Sequence, residues 1–162
     1  MKTHQNDEIP NEILRFLENQ SKEHIGPHLF LATRKMKKFI INHLRKFDIG
    51  FEQVGVMHTL HVAHLNINQL AKVMYKDRGT ISRCVESLCA KGYVVKIKST
   101  KDQRIHTAKL TPAGEQFLES LEHLFTNTIG CIENLFTPEE NTQFHHLLDK
   151  LVDSISKNET MK

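Results

Sequence analysis

The sequence lacks the motifs by which most enzymes are recognised. Its 162 residues contain no glycine-rich phosphate loop, no GxSxG motif and no paired carboxylates at a spacing that identifies a catalytic cleft. A chain of this length suits one compact domain and is short for an enzyme with a separate substrate domain. We therefore expect a protein that is not an enzyme and has no resident cofactor.

Long apolar runs and cysteine pairs are also missing. No stretch is long enough to span a bilayer, and the first residues do not have the pattern of a signal peptide. The three cysteines are odd in number and unrelated in position, which favours a reducing compartment over structural disulfides. We expect a cytoplasmic protein without a membrane partner.

The cysteines themselves have a simple interpretation. Cys84 and Cys89 are i and i+5 on one predicted helix, where their Cα atoms are too far apart for an undistorted disulfide. We interpret both as buried structural thiols. For Cys131, in a later helix, a redox-reporting role is the alternative.

Excess charge of one sign is absent over the whole chain but present locally. The formal net charge is only +3. Between residues 91 and 109, by contrast, six basic residues accompany a single acid, Asp102. These basic residues are Lys91, Lys96, Lys98, Lys101, Arg104 and Lys109. The basic character therefore belongs to one segment of the chain.

The clearest local signals lie between residues 65 and 114. Asn66, with Gln69 three residues later, forms a capping-box pattern at the start of a short helix. Asp77 can cap a second helix. The apolar stripe of that second helix consists of Ile81, Val85, Leu88 and Cys89. These spacings predict two short helices joined by a tight turn.

The period then changes from helical to extended. Gly92 occupies the position of a left-handed helix cap, and residues 93–98 are β-branched and aromatic with partial alternation. Residues 108–110 form the shorter return strand, and Thr111-Pro112 opens the next helix with proline at its first position. The pattern is that of a helix-turn-helix followed by a wing.

The outer face of the second helix, residues 78–90, suits a DNA groove. This face carries Gly79, Ser82, Arg83 and Glu86, while Arg78 and Thr80 lie in the first turn of the helix. An arginine can reach guanine O6 and N7 in the major groove, and hydroxyls can contact base edges or phosphates. The alternative for an exposed arginine such as Arg83 is a solvated surface position.

The predicted wing, residues 99–107, is the second basic element. Asp102 stands two residues before Arg104 at its tip, where it can hydrogen-bond the loop and orient the guanidinium. A projecting arginine fits a narrow minor groove, where the negative potential is strongest. Lys98 and Lys101 add positive charge beside it. Two adjacent basic elements favour DNA binding over an unpartnered charged hairpin.

The segment resembles the MarR family of bacterial winged-helix transcription regulators. The matching residues are 65–71, 77–83 and 88–94, and then D-x-R at 102–104 followed by L-T-x-x-G at 110–114. The resemblance implies a homodimer on a pseudo-palindromic operator, more often a repressor, that responds to an unidentified small-molecule effector. Residues 78–90 would be the recognition helix in the major groove, Asp102 would brace the wing, and Arg104 would enter the minor groove.

The flanking helices complete the expected architecture. The fold should be mainly α with a small β-hairpin wing, an α+β winged helix-turn-helix flanked by long dimerisation helices. Residues 1–20 form an N-terminal extension with a short helix, residues 21–50 and 112–162 the dimerisation region, and residues 51–111 the DNA-binding lobe. Gly26-Pro27 should start the long helix of the first part, and residues 156–162 should be disordered.

Eleven histidines raise a metal alternative. His58 and His61, with His64, lie at i, i+3 and i+6 of a predicted helix, and histidines at such spacings often pair in metal sites. No cysteine or acid stands beside them at matched spacing, so they are weak metal candidates. Two alternatives therefore remain: a zinc-responsive regulator that uses the histidines, and a winged-helix protein-interaction module that does not bind DNA.

Overall fold

The computed structural model describes residues 11–98 and 106–159. The helices are α1 (Asn11–Glu23), α2 (Ile25–Leu44), a 3₁₀ turn (Arg45–Phe47), α3 (Phe51–Val62), α4 (Ile67–Val73) and α5 (Arg78–Ala90), followed after the strands by α6 (Pro112–Glu133) and α7 (Pro138–Glu159). The strands β1 (Val94–Lys98) and β2 (His106–Leu110) form one antiparallel hairpin. The mainly helical architecture with a two-stranded wing confirms the predicted fold class.

The core lies where α3, α4, α5, the hairpin and the start of α6 meet. The predicted stripe of α5 is buried at Ile81, Val85 and Leu88, which pack with Leu70 of α4. The hairpin is tied to this core at its base, because the Ala108 amide donates to the Leu65 carbonyl just before α4. The two helices of the motif and the wing therefore form one packed lobe.

The ends of three helices differ from the expectations. Gly26 and Pro27 do not start α2, since His24 is the extended cap and the helix begins at Ile25. Proline is accepted there because amides in the first helical turn have no partner within the helix. Helix α1 continues to Glu23, beyond the predicted boundary at residue 20.

The third difference concerns the end of the chain. The predicted disorder from residue 156 is wrong as far as Glu159, because α7 continues to that residue. The segment contains no proline or glycine to end the helix, and the Asn158 side chain donates to the Ser154 carbonyl. Residues 160–162 lie outside the described residues.

Large apolar side chains remain exposed on the helices outside the lobe. They are Ile13, Leu14 and Phe16 on α1, Ile25, Phe30 and Met36 on α2, Leu135 and Phe136 after α6, and Phe144, Leu147, Val152 and Ile155 on α7. The winged lobe does not cover these faces. In the described part of the chain, no helix is both long and apolar enough to cross a membrane.

Candidate nucleic-acid interface

Asp77 fixes the start of α5. Its Oδ1 accepts a hydrogen bond from the Thr80 amide at 2.8 Å, and its Oδ2 accepts one from the Thr80 hydroxyl at 2.6 Å. These two bonds hold the pKa of the Asp77 carboxyl below its ordinary value, and the bond from the Thr80 hydroxyl has the larger effect. A negative charge at a helix N-terminus also complements the helix dipole. The predicted N-cap is therefore confirmed.

Arg83 is connected to this cap through Thr80. Its Nη2 donates to the Thr80 hydroxyl oxygen at 3.4 Å, one turn towards the start of the helix. The Arg83 side chain is exposed, whereas Thr80 is half-buried. The chain of hydrogen bonds from Asp77 through Thr80 thus holds a guanidinium along the outer surface of α5.

Arg78 and Gly79 are both exposed in the first turn of α5. A contact within the protein itself favours glycine at position 79. A Cβ at this position would lie 3.2 Å from Asp77 Oδ1, closer than ordinary contact. The absence of a side chain at Gly79 therefore leaves room for the capping carboxylate.

Glu86 brings a negative charge to the face that carries Ser82 and Arg83. The Ser82 hydroxyl donates to Glu86 Oε1 at 2.9 Å, and Lys96 Nζ of β1 lies 4.0 Å from the same oxygen. Ser82 and Lys96 therefore partly offset the acid beside the predicted groove contacts. Since these groups are largely exposed, the ion pair is weak and sensitive to salt.

The C-terminal end of α5 is held by a different basic residue. Lys91 Nζ donates to the carbonyl and to Oδ2 of Asp48, which lies in the left-handed region at φ 52°. The Lys91 hydrogen bond keeps the pKa of the Asp48 carboxyl below its ordinary value. Lys91, although part of the basic segment, is thus occupied at the end of α5 opposite to Arg78.

The wing begins with an exposed lysine. Lys98 ends β1 opposite His106, the first residue of β2. The predicted tip residues Lys101, Asp102 and Arg104 lie outside the described residues. The structure accordingly defines the base of the wing and the strands that lead to its tip.

Thr111 joins the base of the wing to both flanking helices. Its hydroxyl donates to the Gly92 carbonyl at 2.7 Å and accepts from the Gly114 amide at 3.1 Å. Its own amide donates to the Tyr93 carbonyl at 3.0 Å. The local sequence predicts Thr111 only as a helix cap. Its bonds to Gly92 and Tyr93 join residues that are distant along the chain, so no local pattern indicates them.

An aromatic cluster extends this junction towards α2. Tyr93 stacks on Phe117 of α6 with ring centroids 4.4 Å apart and an interplanar angle of 8°. Phe117 meets Phe47 edge to face at 6.4 Å. This cluster was not predicted from the sequence, where the only sign of it is that the three residues are aromatic. The cluster mechanically connects the wing base with the helices outside the lobe.

The cysteines of α5 are half-buried free thiols. Burial is the main cause that raises the pKa of both the Cys84 and the Cys89 thiol. At neutral pH both are therefore protonated and poor nucleophiles. The side chain of Cys131 is outside the described residues.

The predicted histidine pair faces acids that the sequence analysis did not find. His61 Nδ1 lies 2.6 Å from Glu115 Oε2, and His58 Nδ1 lies 3.7 Å from Glu122 Oε1. Both acids come from α6, so no spacing within α3 could reveal them. Among the described residues, no group of three or more potential ligands surrounds a common metal position.

A cavity lies beside the second of these pairs, between α2, α3 and α6. Its volume is about 500 Å³, and its lining is Ile40, Phe51, Val54, Gly55, His58, Glu122, Phe125 and Thr126. Most of these side chains are apolar, with one histidine and one acid among them. The cavity is an open groove between α3 of the winged lobe and the helices α2 and α6, and its volume is in the range of small-molecule sites.

The capped pair of helices α4 and α5, followed by a hairpin, defines a winged helix-turn-helix protein. A family model described as the MarR family matches residues 47–105. The multiple antibiotic resistance protein MarR of Salmonella typhimurium is 27% identical over 96 residues, which are 59% of this chain and 67% of that protein. The regulator SarZ of Staphylococcus aureus is 24% identical over 130 residues, which are 80% of this chain and 84% of SarZ.

Solved structures agree with this match. A MarR variant from E. coli superimposes with a TM-score of 0.72 at 24% identity, over 80% of this chain and 96% of that one. MepR of S. aureus, in a complex with DNA, has a TM-score of 0.68 at 26% identity, over 78% of this chain and 96% of MepR. Together these matches support a winged-helix regulator of the MarR family and confirm the resemblance seen in the residues. Proteins of this family are DNA-binding transcription factors and not enzymes.

Proposed function

We propose that the protein is a sequence-specific regulator that acts as a homodimer on a pseudo-palindromic DNA operator. The observation that carries the proposal is the capped start of α5, where Asp77 and Thr80 hold Arg83 on an exposed face. Recognition helices read base edges with residues near their N-termini. Preorganised side chains lose less conformational freedom on binding, which favours affinity.

The proposed contacts divide between two grooves. Helix 78–90 enters the major groove with Arg78, Gly79, Thr80, Ser82 and Arg83. Arg83 reads a base edge, while Arg78 and the first-turn amides contact phosphates. The wing, residues 99–107, follows the minor groove with Lys98, Lys101 and Arg104, and Asp102 braces its tip.

The exposed apolar side chains on α1, α2 and α7 support the homodimer. Monomeric proteins rarely expose extended apolar surfaces, and helices that do so commonly meet a second copy. In this proposal residues 21–50 and 112–162 form the dimerisation region, residues 1–20 an extension of it, and residues 51–111 the DNA-binding lobe. Two lobes held in this way would present two copies of α5 to successive major grooves.

The cavity between α2, α3 and α6 supports control by a small-molecule effector. Its apolar lining and the pair of His58 and Glu122 suit a molecule with an apolar body and one polar group. A molecule there would move the lobe relative to the outer helices. The two recognition helices would then no longer match half-sites about 34 Å apart, and a repressor would release its operator.

Selection of genomic fragments by the purified protein tests this function. We expect enrichment of a pseudo-palindrome, with an affinity that falls steeply as salt rises. Arg104→Ala should weaken binding of the best fragment without unfolding the protein. The matched control is Arg45→Ala, which removes an exposed arginine of the 3₁₀ turn on the side of Asp48 and Lys91 and should bind normally. Absence of enrichment, with and without added zinc, would favour a protein-interaction module instead.

A further inference from the structure

Helix α5 ends in a motif that favours glycine. Gly92 has φ +76°, its amide donates to the Cys89 carbonyl at 3.0 Å, and the Tyr93 amide donates to the Leu88 carbonyl at 3.0 Å. This pair of hydrogen bonds is the Schellman motif, whose left-handed residue is usually glycine because a Cβ is disfavoured there. Gly92 follows the rule.

Helix α4 ends in the same motif but with a different residue at the left-handed position. Tyr75 has φ +51°, its amide donates to the Lys72 carbonyl at 3.3 Å, and the Lys76 amide donates to the Ala71 carbonyl at 3.0 Å. The two turns therefore have matching hydrogen bonds. The chain places a tyrosine where its other copy of the motif has glycine.

The tyrosine gains nothing from packing that would offset its backbone strain. Tyr75 is 93% exposed, more than any other exposed large apolar or aromatic residue in the described part of the chain. A left-handed conformation is unfavourable for a bulky residue. Strain without compensating burial is most often retained for a functional contact.

The position of Tyr75 is next to the proposed DNA-binding surface. It stands two residues before the cap Asp77 and three before Arg78, in the turn of the helix-turn-helix. Two exposed lysines are near it along the chain: Lys72 in the last turn of α4, and Lys76, which is next to Tyr75 and lies 4.0 Å from Glu52 Oε1. Tyr75 thus projects from a basic turn that leads directly into the recognition helix.

We propose that Tyr75 binds the operator backbone, with its phenolic hydroxyl donating a hydrogen bond to a phosphate oxygen beside the groove occupied by α5. Tyrosine is one of the uncharged side chains that contact DNA phosphates. The left-handed turn fixes the direction in which the ring leaves the backbone, so the contact sets the depth and register of α5. This inference rests on the proposed function.

The test compares Tyr75→Phe and Tyr75→Gly with the parent on the DNA fragment that the parent selects. Each variant should lose about tenfold in affinity per half-site, the size expected for one hydrogen bond to a charged oxygen. The dependence of affinity on salt should keep its slope, because no cation is removed. Tyr75→Gly should melt at the same temperature as the parent or a few degrees higher, since the strain is relieved.

The other tyrosine provides the matched control. Tyr93→Phe removes the same hydroxyl at the opposite end of α5, keeps the stack on Phe117, and should bind like the parent. Parent-like affinity of either Tyr75 variant would overturn the contact, whereas a lower melting temperature of Tyr75→Gly would overturn the premise that the tyrosine is strained. If the parent selects no fragment, the proposed function itself fails and the contact with it. Selection by the parent with unaffected Tyr75 variants would overturn only the contact.

Discussion

Gly114 lies against the backbone carbonyl of Tyr93, so closely that a Cβ on Gly114 would overlap the carbonyl oxygen. The contact brings the first turn of α6 onto the base of the wing. Thr111 forms hydrogen bonds with both Gly114 and Tyr93 and so holds the two residues in contact. Position 114 therefore requires glycine. A side chain there would force the Gly114 amide and the wing backbone apart, and the hydrogen bonds of Thr111 would be lost.

Gly114→Ala should therefore destabilise the protein strongly. The added methyl group must push α6 away from the backbone at Tyr93, just before β1, and overpacking of this kind typically costs about 1–3 kcal/mol. Urea unfolding followed by circular dichroism measures the change. Gly130→Ala is the control in the same helix, because a Cβ there meets nothing within 4 Å; it should stabilise by about 0.5–1 kcal/mol. Equal stability of the two variants would contradict the overlap.

Asp77→Ala should lower the urea midpoint at neutral pH, and the loss should disappear in acid. The folded pKa of Asp77 is below its ordinary value of 3.8, so between the two values the unfolded chain binds more protons and stability rises with pH. The cap is fully effective above about pH 4 and is lost as the pH falls through the folded pKa. Urea midpoints of parent and variant from pH 7 to pH 2 test this, and a constant difference would argue against it.

Thr80 and Arg83 should affect DNA binding in different ways. Arg83→Ala removes the proposed base contact, so it should weaken operator binding by about 1–3 kcal/mol and relax specificity at one position. Thr80→Val keeps the Thr80 amide, which donates to Asp77 Oδ1. It removes the Thr80 hydroxyl, which donates to Asp77 Oδ2 and accepts from Arg83. We expect a smaller loss of affinity for Thr80→Val, measured on matched and mismatched duplexes. A larger loss than for Arg83→Ala would show that Thr80 itself is the main contact.

The thiols of α5 should react slowly. Burial raises the pKa of Cys84 and Cys89, which lowers the thiolate fraction at neutral pH. In a Cys131→Ser background, alkylation at a pH about one unit below the pKa of free cysteine should be much slower in the folded protein than in urea. Rapid modification of folded protein would instead identify a redox-sensitive cysteine in the recognition helix.

The predictions that were confirmed depend on groups close together in the chain. The predicted capping box of Asn66 and Gln69 joins residues three apart. Gly92 also has the expected positive φ. Caps, turns and apolar periodicity are local properties, so a single sequence contains them.

The contacts that no spacing revealed join residues far apart in the chain. His61 meets Glu115 across 54 positions, and Gln53 meets Ser87 across 34. The tight approach of Gly114 to Tyr93 and the cavity at His58 also arise only when α6 returns to the lobe. Sequence patterns therefore specified which helices form and several of their caps, because those energies are local. Packing of distant elements specified which side chains meet, because that depends on how the elements fit together in space.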